Sequence, residues 1–258
     1  MNATNSLFAL LVGAVLLIAA CGEHRAEAGV EPAAPEAPQA EAAPLKTAIL
    51  VDQTGSMTWS NTSQVTPESL QPLLDYLRTV SGELALGLIR DRSALGLVRL
   101  RIDPAPAATA APKRTGKAFS DQRAMREYRK LAAEEQRRQA EWEEETNRRV
   151  EQFLSQARAL LARPASARCT SIWEAVSRAD AFLAEDEPQW PKDFARVAIL
   201  VSDGQHNCGP ALSAPPRSQA AWLQVHGAGT AGSLDILKPR RFEGIAAALR
   251  YVINGSDR

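Results

Sequence analysis

Two stretches of this chain are apolar without interruption, and they anchor the reading of everything between them. Thr47-Ala48-Ile49-Leu50-Val51 and Val197-Ala198-Ile199-Leu200-Val201 are short and rich in β-formers, with no polar alternation. That is the pattern of parallel strands buried on both faces at the centre of an open α/β sheet. Glu83–Arg90 and Ala94–Ile102 read as two more strands joined by Asp91-Arg92-Ser93. In the second, Val98, Leu100 and Ile102 alternate with Arg99 and Arg101, which predicts an edge strand with one wet face. Ala221–His226 reads as a last strand. Helical spacing appears three times beside these runs. Leu73, Leu74, Leu77 and Val80 form a stripe that starts near Pro72 and ends at Gly82. Thr170 opens a helix carrying Ile172, Ala175, Val176, Ala179, Phe182 and Leu183 on one face, and Phe242 to Ile253 predicts a closing amphipathic helix. Trp59–Ser69 and the proline-bearing Gly204–Ser218 read as loops.

A different pattern separates the first four elements from the rest. Asp103 to Lys117 is a Pro/Ala linker, and Ser120 to Arg163 then runs without Gly or Pro. As one helix it is roughly 65 Å long. Its first two-thirds are charged, with Glu134–Arg138, Glu144–Arg148 and Glu145–Arg149 spaced for i,i+4 pairing as in a coiled coil. Met125, Tyr128, Leu131 and Trp142 are too sparse for a heptad seam. That part is a solvated helix or a projecting partner-binding arm. Val150, Phe153, Leu154, Ala157, Leu160 and Leu161 form a stripe expected to dock on the sheet.

Both buried runs end on carboxylates. After the first come Asp52, Thr54 and Ser56 at alternate positions, with Gly55 allowing a tight turn. After the second comes Ser202-Asp203-Gly204. Parallel strands bring Asp52 and Asp203 to one edge of the sheet, where open α/β folds bind ligands. Hard oxygens there suit a small divalent cation. These segments resemble the von Willebrand factor type A (vWA) family, whose metal-ion-dependent adhesion site has the form Asp-x-Ser-x-Ser plus a Thr and an Asp from later loops. The resemblance covers about 46–103 and 164–254. It implies a Rossmann-like, doubly wound, mostly parallel sheet with one antiparallel edge strand, here carrying a long helical insertion. It also implies Asp52, Thr54, Ser56, Thr170 and Asp203 as ligands of Mg²⁺ or Mn²⁺, the carboxylates acting largely through water. The ion then offers an open position to an acidic side chain of a protein partner. Two departures stand out: Thr54 replaces the first Ser, and Cys169 replaces the glycine usual before the Thr. The alternative for both acids is structural, a loop-capping role on backbone N–H groups.

The N-terminus adds an address. Leu7 to Ala20 is a short apolar region running into Ile18-Ala19-Ala20-Cys21, which resembles the lipobox of bacterial lipoproteins. No Lys or Arg precedes it, and an uncleaved anchor is the alternative. The expected organisation is a signal peptide over 1–20, an Ala/Pro/Glu tether over 21–45, and a vWA-like domain over 46–254 interrupted by 104–150. Lipidation at Cys21 would place the domain on the periplasmic face of a bacterial envelope, at the outer membrane if Gram-negative, since Gly22 rather than Asp follows. Cys169 and Cys208 then remain as an even pair in an oxidising compartment, expected as a disulfide joining two loops of the metal site, with two buried thiols as the alternative.

Composition narrows the function. Lys+Arg and Asp+Glu balance at 30 each, and aromatics are sparse, which disfavours nucleic-acid binding. Asp-Gln-Thr-Gly-Ser has one residue too many for an aspartic protease and no second copy. Ser56 and Ser202 lack the Gly-x-Ser-x-Gly elbow, and His24, His206 and His226 are scattered. No residue is placed as a general base, so a non-enzymatic binding protein is expected. The alternatives are a structural lipoprotein with a degenerate site acting through the charged helix, and an envelope redox or hydrolytic enzyme.

Overall fold

The computed structural model describes residues 43–54, 57, 65–93, 96–113, 115–164, 169–188, 190, 194–209, 214–226 and 233–255. Strand β1 (Leu45–Asp52) is buried at every position. It pairs in parallel with β2 (Gly82–Ile89) on one side and β4 (Ala195–Val201) on the other. Beyond β4 come β5 (Ala221–Val225) and the short β6 (Arg240–Phe242), both parallel. The opposite edge is β3 (Val98–Ile102), antiparallel to β2. The sheet is six-stranded with order β3-β2-β1-β4-β5-β6. It is the expected α/β sheet with one antiparallel edge strand, and its two apolar runs lie side by side at the centre, where both faces are covered.

Alternation along β1 divides the core in two. Leu45, Ile49 and Val51 pack with helix α1 (Gln71–Val80), the end of α2 (Ala118–Leu161) and α4 (Ile245–Asn254). Ala48 and Leu50 face α3 (Ile172–Ala184) on the other side, with Trp222, Leu234 and Leu237. Helix α1 is entered through a 3-10 turn at Glu68–Leu70 and carries Pro72 in its first turn. Its stripe Leu73, Leu74, Leu77 and Val80 is buried, worth about 1.5–3 kcal/mol for each side chain fully removed from water. It stops at Ser81, whose φ is 63°, and Gly82 follows at φ 148°. A Cβ on Gly82 would collide with the Leu45 carbonyl oxygen and the Leu77 side chain, so only glycine lets β2 start this close to β1.

Helix α2 has 44 residues and is about 66 Å long. Val150, Phe153, Ala157 and Leu160 are buried on the sheet, while Leu154 and Leu161 are half-buried against it. Docking begins earlier than the stripe predicts. Thr146 is already buried, Trp142 touches the core, and its indole Nε1 donates to the Asp103 carbonyl at 3.0 Å. Toward the N-terminus Phe119 is 90 % exposed, and Met125 and Leu131 are also exposed. The Pro/Ala segment 103–113 runs back along this half. Thr109 N–H donates to Glu135 Oε2 at 2.7 Å, and Pro112 and Lys113 share a cavity with Asp121 and Gln122. Within it positions 106, 109 and 112 are shielded and their neighbours exposed, the three-residue period of polyproline II. The lengths agree: nine steps from Asp103 to Pro112 at about 3.1 Å cover roughly 28 Å, and the twenty steps from Gln122 to Trp142 rise about 30 Å.

Other boundaries differ in detail. β3 begins at Val98, with Ala94 and Leu95 outside the described residues. Helix α3 begins at Ile172, two residues past Thr170. Phe242 ends β6 rather than opening a helix, and the 3-10 turn Ser233–Leu237 is an additional element. The signal peptide, Cys21, the tether through 42, Gly55 and Ser56 lie outside the described residues. Among those residues no helix is long and apolar enough to cross a membrane.

Candidate metal centre

Asp52 ends β1 and is 5 % exposed. Its Oδ1 accepts the Thr54 hydroxyl at 2.7 Å and the Thr54 N–H at 2.9 Å, while its Oδ2 accepts the Ser202 hydroxyl at 2.7 Å. Ser202 sits just past β4, and its oxygen in turn accepts Gly204 N–H at 3.1 Å. Gly204 holds φ 84°, and a Cβ there would press on the Gln224 side chain. Burial pushes the Asp52 carboxyl above the usual carboxylate range. The hydroxyl and amide bonds from Thr54 and Ser202 oppose that, and the charge of Asp203 adds to it. Asp203 is half-buried, and its Oδ1 accepts Gln205 N–H at 2.9 Å.

The Thr170 loop spans the end of β1. Ser171 N–H donates to the carbonyl of Arg90, just past β2, at 2.9 Å. Thr170 N–H donates to Asn207 Oδ1 at 2.6 Å, and Asn207 N–H returns to the Thr170 carbonyl at 3.2 Å. Since β2 and β4 flank β1, these bonds bring Thr170, which is 2 % exposed, to the edge that holds Asp52. Ile172 N–H donates to His206 Nδ1 at 3.2 Å, so the proton sits on Nε2, which faces the Gly209 carbonyl at 3.3 Å. A disulfide joins Cys169 to Cys208, with Cα atoms 5.7 Å apart. Asp52, Thr54, Thr170 and Asp203 therefore share one edge; Ser56 lies outside the described residues. Ser202, Asn207 and His206 complete the arrangement, and of these only Ser202, within Ser-Asp-Gly after an apolar strand, carried a signal in the sequence.

The donor set fits a hard divalent cation. The charge of Asp203 is felt at Asp52, and no Lys, Arg or His among the described residues pairs with either. The oxygens are carboxylate and hydroxyl, the type such ions take.

A second acidic group lies at the other end of the sheet. Glu83, Glu185 and Glu187 bring carboxylate oxygens within 4.8 Å of one another, and that triad could hold a metal. Protein cations already fill it. Lys46, 0 % exposed, lies 3.0 Å from Glu187, 3.4 Å from Glu83 and 3.9 Å from Glu185. Arg101 pairs with Glu83 and Glu187, and Arg99 makes two bonds to Glu185 at 2.8 and 2.9 Å. Three carboxylates meet three cations. Burial still raises the Glu83 carboxyl above its ordinary value, against the pull of Lys46.

No family model and no curated protein matches the chain. Among solved structures, proximal thread matrix protein 1 from the mussel byssus is similar at 13% identity and a TM-score of 0.38 over 83% of this chain. The pilus adhesin SpaC from Lactobacillus rhamnosus GG is similar at 10% identity and a TM-score of 0.36 over 84% of it. This chain spans 49% of the first structure's length and 30% of the second's.

Proposed function

We propose that this chain is a non-catalytic, metal-dependent binding protein of the vWA kind, held by lipid at Cys21 on the periplasmic face of a bacterial envelope. The observation that carries this is Asp52: a buried carboxylate at a strand tip, bonded by the hydroxyls of Thr54 and Ser202, repelled by the charge of Asp203, and with no basic partner among the described residues. Asp52, Thr54, Ser56, Thr170 and Asp203 would hold Mg²⁺ or Mn²⁺. Such an ion supplies an open coordination position for an acidic side chain of a protein partner. The protein groups fix their own geometry beforehand. Thr54 and Ser202 orient the Asp52 carboxylate, Gly204 lets the β4 loop turn beneath it, and Asn207 with the disulfide ties Thr170 in place. The disulfide also supports an extracytoplasmic location.

A second reading has its own support: both Asp52 oxygens already accept protein hydrogen bonds. On that reading the site is empty and structural, and the exposed half of α2 makes the contacts. A pull-down from membranes with and without Mg²⁺ separates the two. Capture that needs the ion and is lost in Asp52→Ala supports the metal; capture indifferent to EDTA and to Asp52→Ala supports the helix.

A further inference from the structure

Among the described residues the β2–β3 pairing ends at Leu86 and Val98, and β2 continues along a notched edge through Gly87, Leu88 and Ile89. A cavity of about 200 Å³ occupies this notch. Its floor is apolar, including Leu88 and Leu160, and its walls carry four arginines: Arg90, Arg92, Arg163 and Arg178. They come from the β2–β3 loop, the end of α2 and the middle of α3, so the fold, not the local sequence, gathers them.

Two of the four are tied to backbone at the rim. Arg178 Nη2 donates to the Leu88 carbonyl at 3.1 Å, on the open edge of β2, and Arg90 Nη2 reaches the Pro164 carbonyl at 3.3 Å. The side chains of Arg92 and Arg163 have no protein partner among the described residues. Two acids stand close by: Asp91, between Arg90 and Arg92, whose Oδ1 accepts Arg92 N–H at 3.0 Å, and Glu174, which acts on Arg178 and whose Oε2 accepts Ser93 N–H at 2.8 Å. At the far end of the sheet three cations meet three carboxylates; here four guanidinium groups line one cavity, against Asp91 and Glu174 among the described residues.

We infer that this notch is an anion-binding site, distinct from the metal centre, which takes a carboxylate or phosphoryl group. Guanidinium groups match such oxyanions with paired N–H donors, and an apolar floor strengthens the attraction by excluding water. The volume suits one oxyanion group rather than an extended ligand. None of the proposed metal ligands lines the notch, so anion binding there proceeds without a divalent ion.

The test is calorimetry on the full chain in EDTA at low salt, with inorganic phosphate and a short oligoglutamate peptide as separate probes. Arg92→Gln and Arg163→Gln alter exposed side chains, so folding is retained, and each weakens binding about tenfold. Saturable phosphate binding identifies a free anion as sufficient. Binding of the peptide alone assigns the notch to an acidic protein segment. Both support the site when the arginine variants weaken them. The proposal is overturned if neither probe binds saturably, or if the double variant binds as tightly as the wild type. Because EDTA is present throughout, either outcome leaves the metal reading to its own experiment.

Discussion

Replacing both Cys169 and Cys208 by serine removes the bridge that ties the Thr170 loop to the loop after β4. The bonded cysteines are separated by 39 residues in sequence. Closing a loop of that length restricts the unfolded chain by about 4 kcal/mol in the chain-entropy treatment. For a domain of this size such a loss corresponds to a fall in Tm of roughly 10 °C. The native loop keeps other ties, since Thr170 exchanges two hydrogen bonds with Asn207 and Ile172 donates to His206. The double variant is therefore expected to fold and to retain the site, with a weakened grip on Mg²⁺. Calorimetric melting of the oxidised wild type and the variant measures the first effect, and a Mg²⁺ titration of each measures the second. Thiol labelling of the unreduced, denatured wild type checks the bond itself. A Tm within about 2 °C of wild type would refute the loop-closure reasoning, and two reactive thiols besides Cys21 would refute the bridge.

Three further outcomes are expected. Lys46→Met leaves the half-buried Glu83 and Glu187 without their central cation and should cost about 3–5 kcal/mol in urea unfolding; an unchanged midpoint would mean that the arginines alone neutralise the cluster. Asp52 has a raised folded pKa, so its ionised form costs stability at neutral pH, and that cost is relieved as pH falls through the folded value. In EDTA, Asp52→Asn should thus gain most on wild type at neutral pH, with the gap narrowing toward acid and closing on Mg²⁺ addition; thermal melts across pH with no such convergence would contradict it. Asp103 and Trp142 touch, so excising 105–139 and bridging with a few Gly/Ser residues removes both the polyproline strap and the exposed half of α2. Tm should hardly change, whereas a cut extended through Val150 should destabilise the core.

The central strands were legible because burial on both faces demands uninterrupted apolar residues, and β1 and β4 have them. Helix α1 and the docked end of α2 showed the same one-sided stripe in sequence as in burial. β6 was not legible. Arg240-Arg241-Phe242 has no strand-like pattern and is positioned by pairing with β5 and by Arg240 lying over the Tyr251 ring. Lys46 hid for a similar reason, since nothing local shows that a lysine at the head of a strand meets glutamates 37 and 141 residues away. At the candidate centre the acids and Thr54 stood at strand ends, where position alone gives a role. Asn207 and His206 act through backbone groups of a distant loop, which only the folded chain brings within reach.

The metal itself is the point on which the account turns. Calorimetric titration of Mg²⁺, then Mn²⁺, into the chelator-washed full chain tests it, with Asp52→Ala and Asp203→Ala as comparisons. Saturable binding of one ion per chain, lost in both variants while their melting remains cooperative, is the predicted result. No saturable binding of either ion to the wild type, or equal binding by the variants, would contradict it.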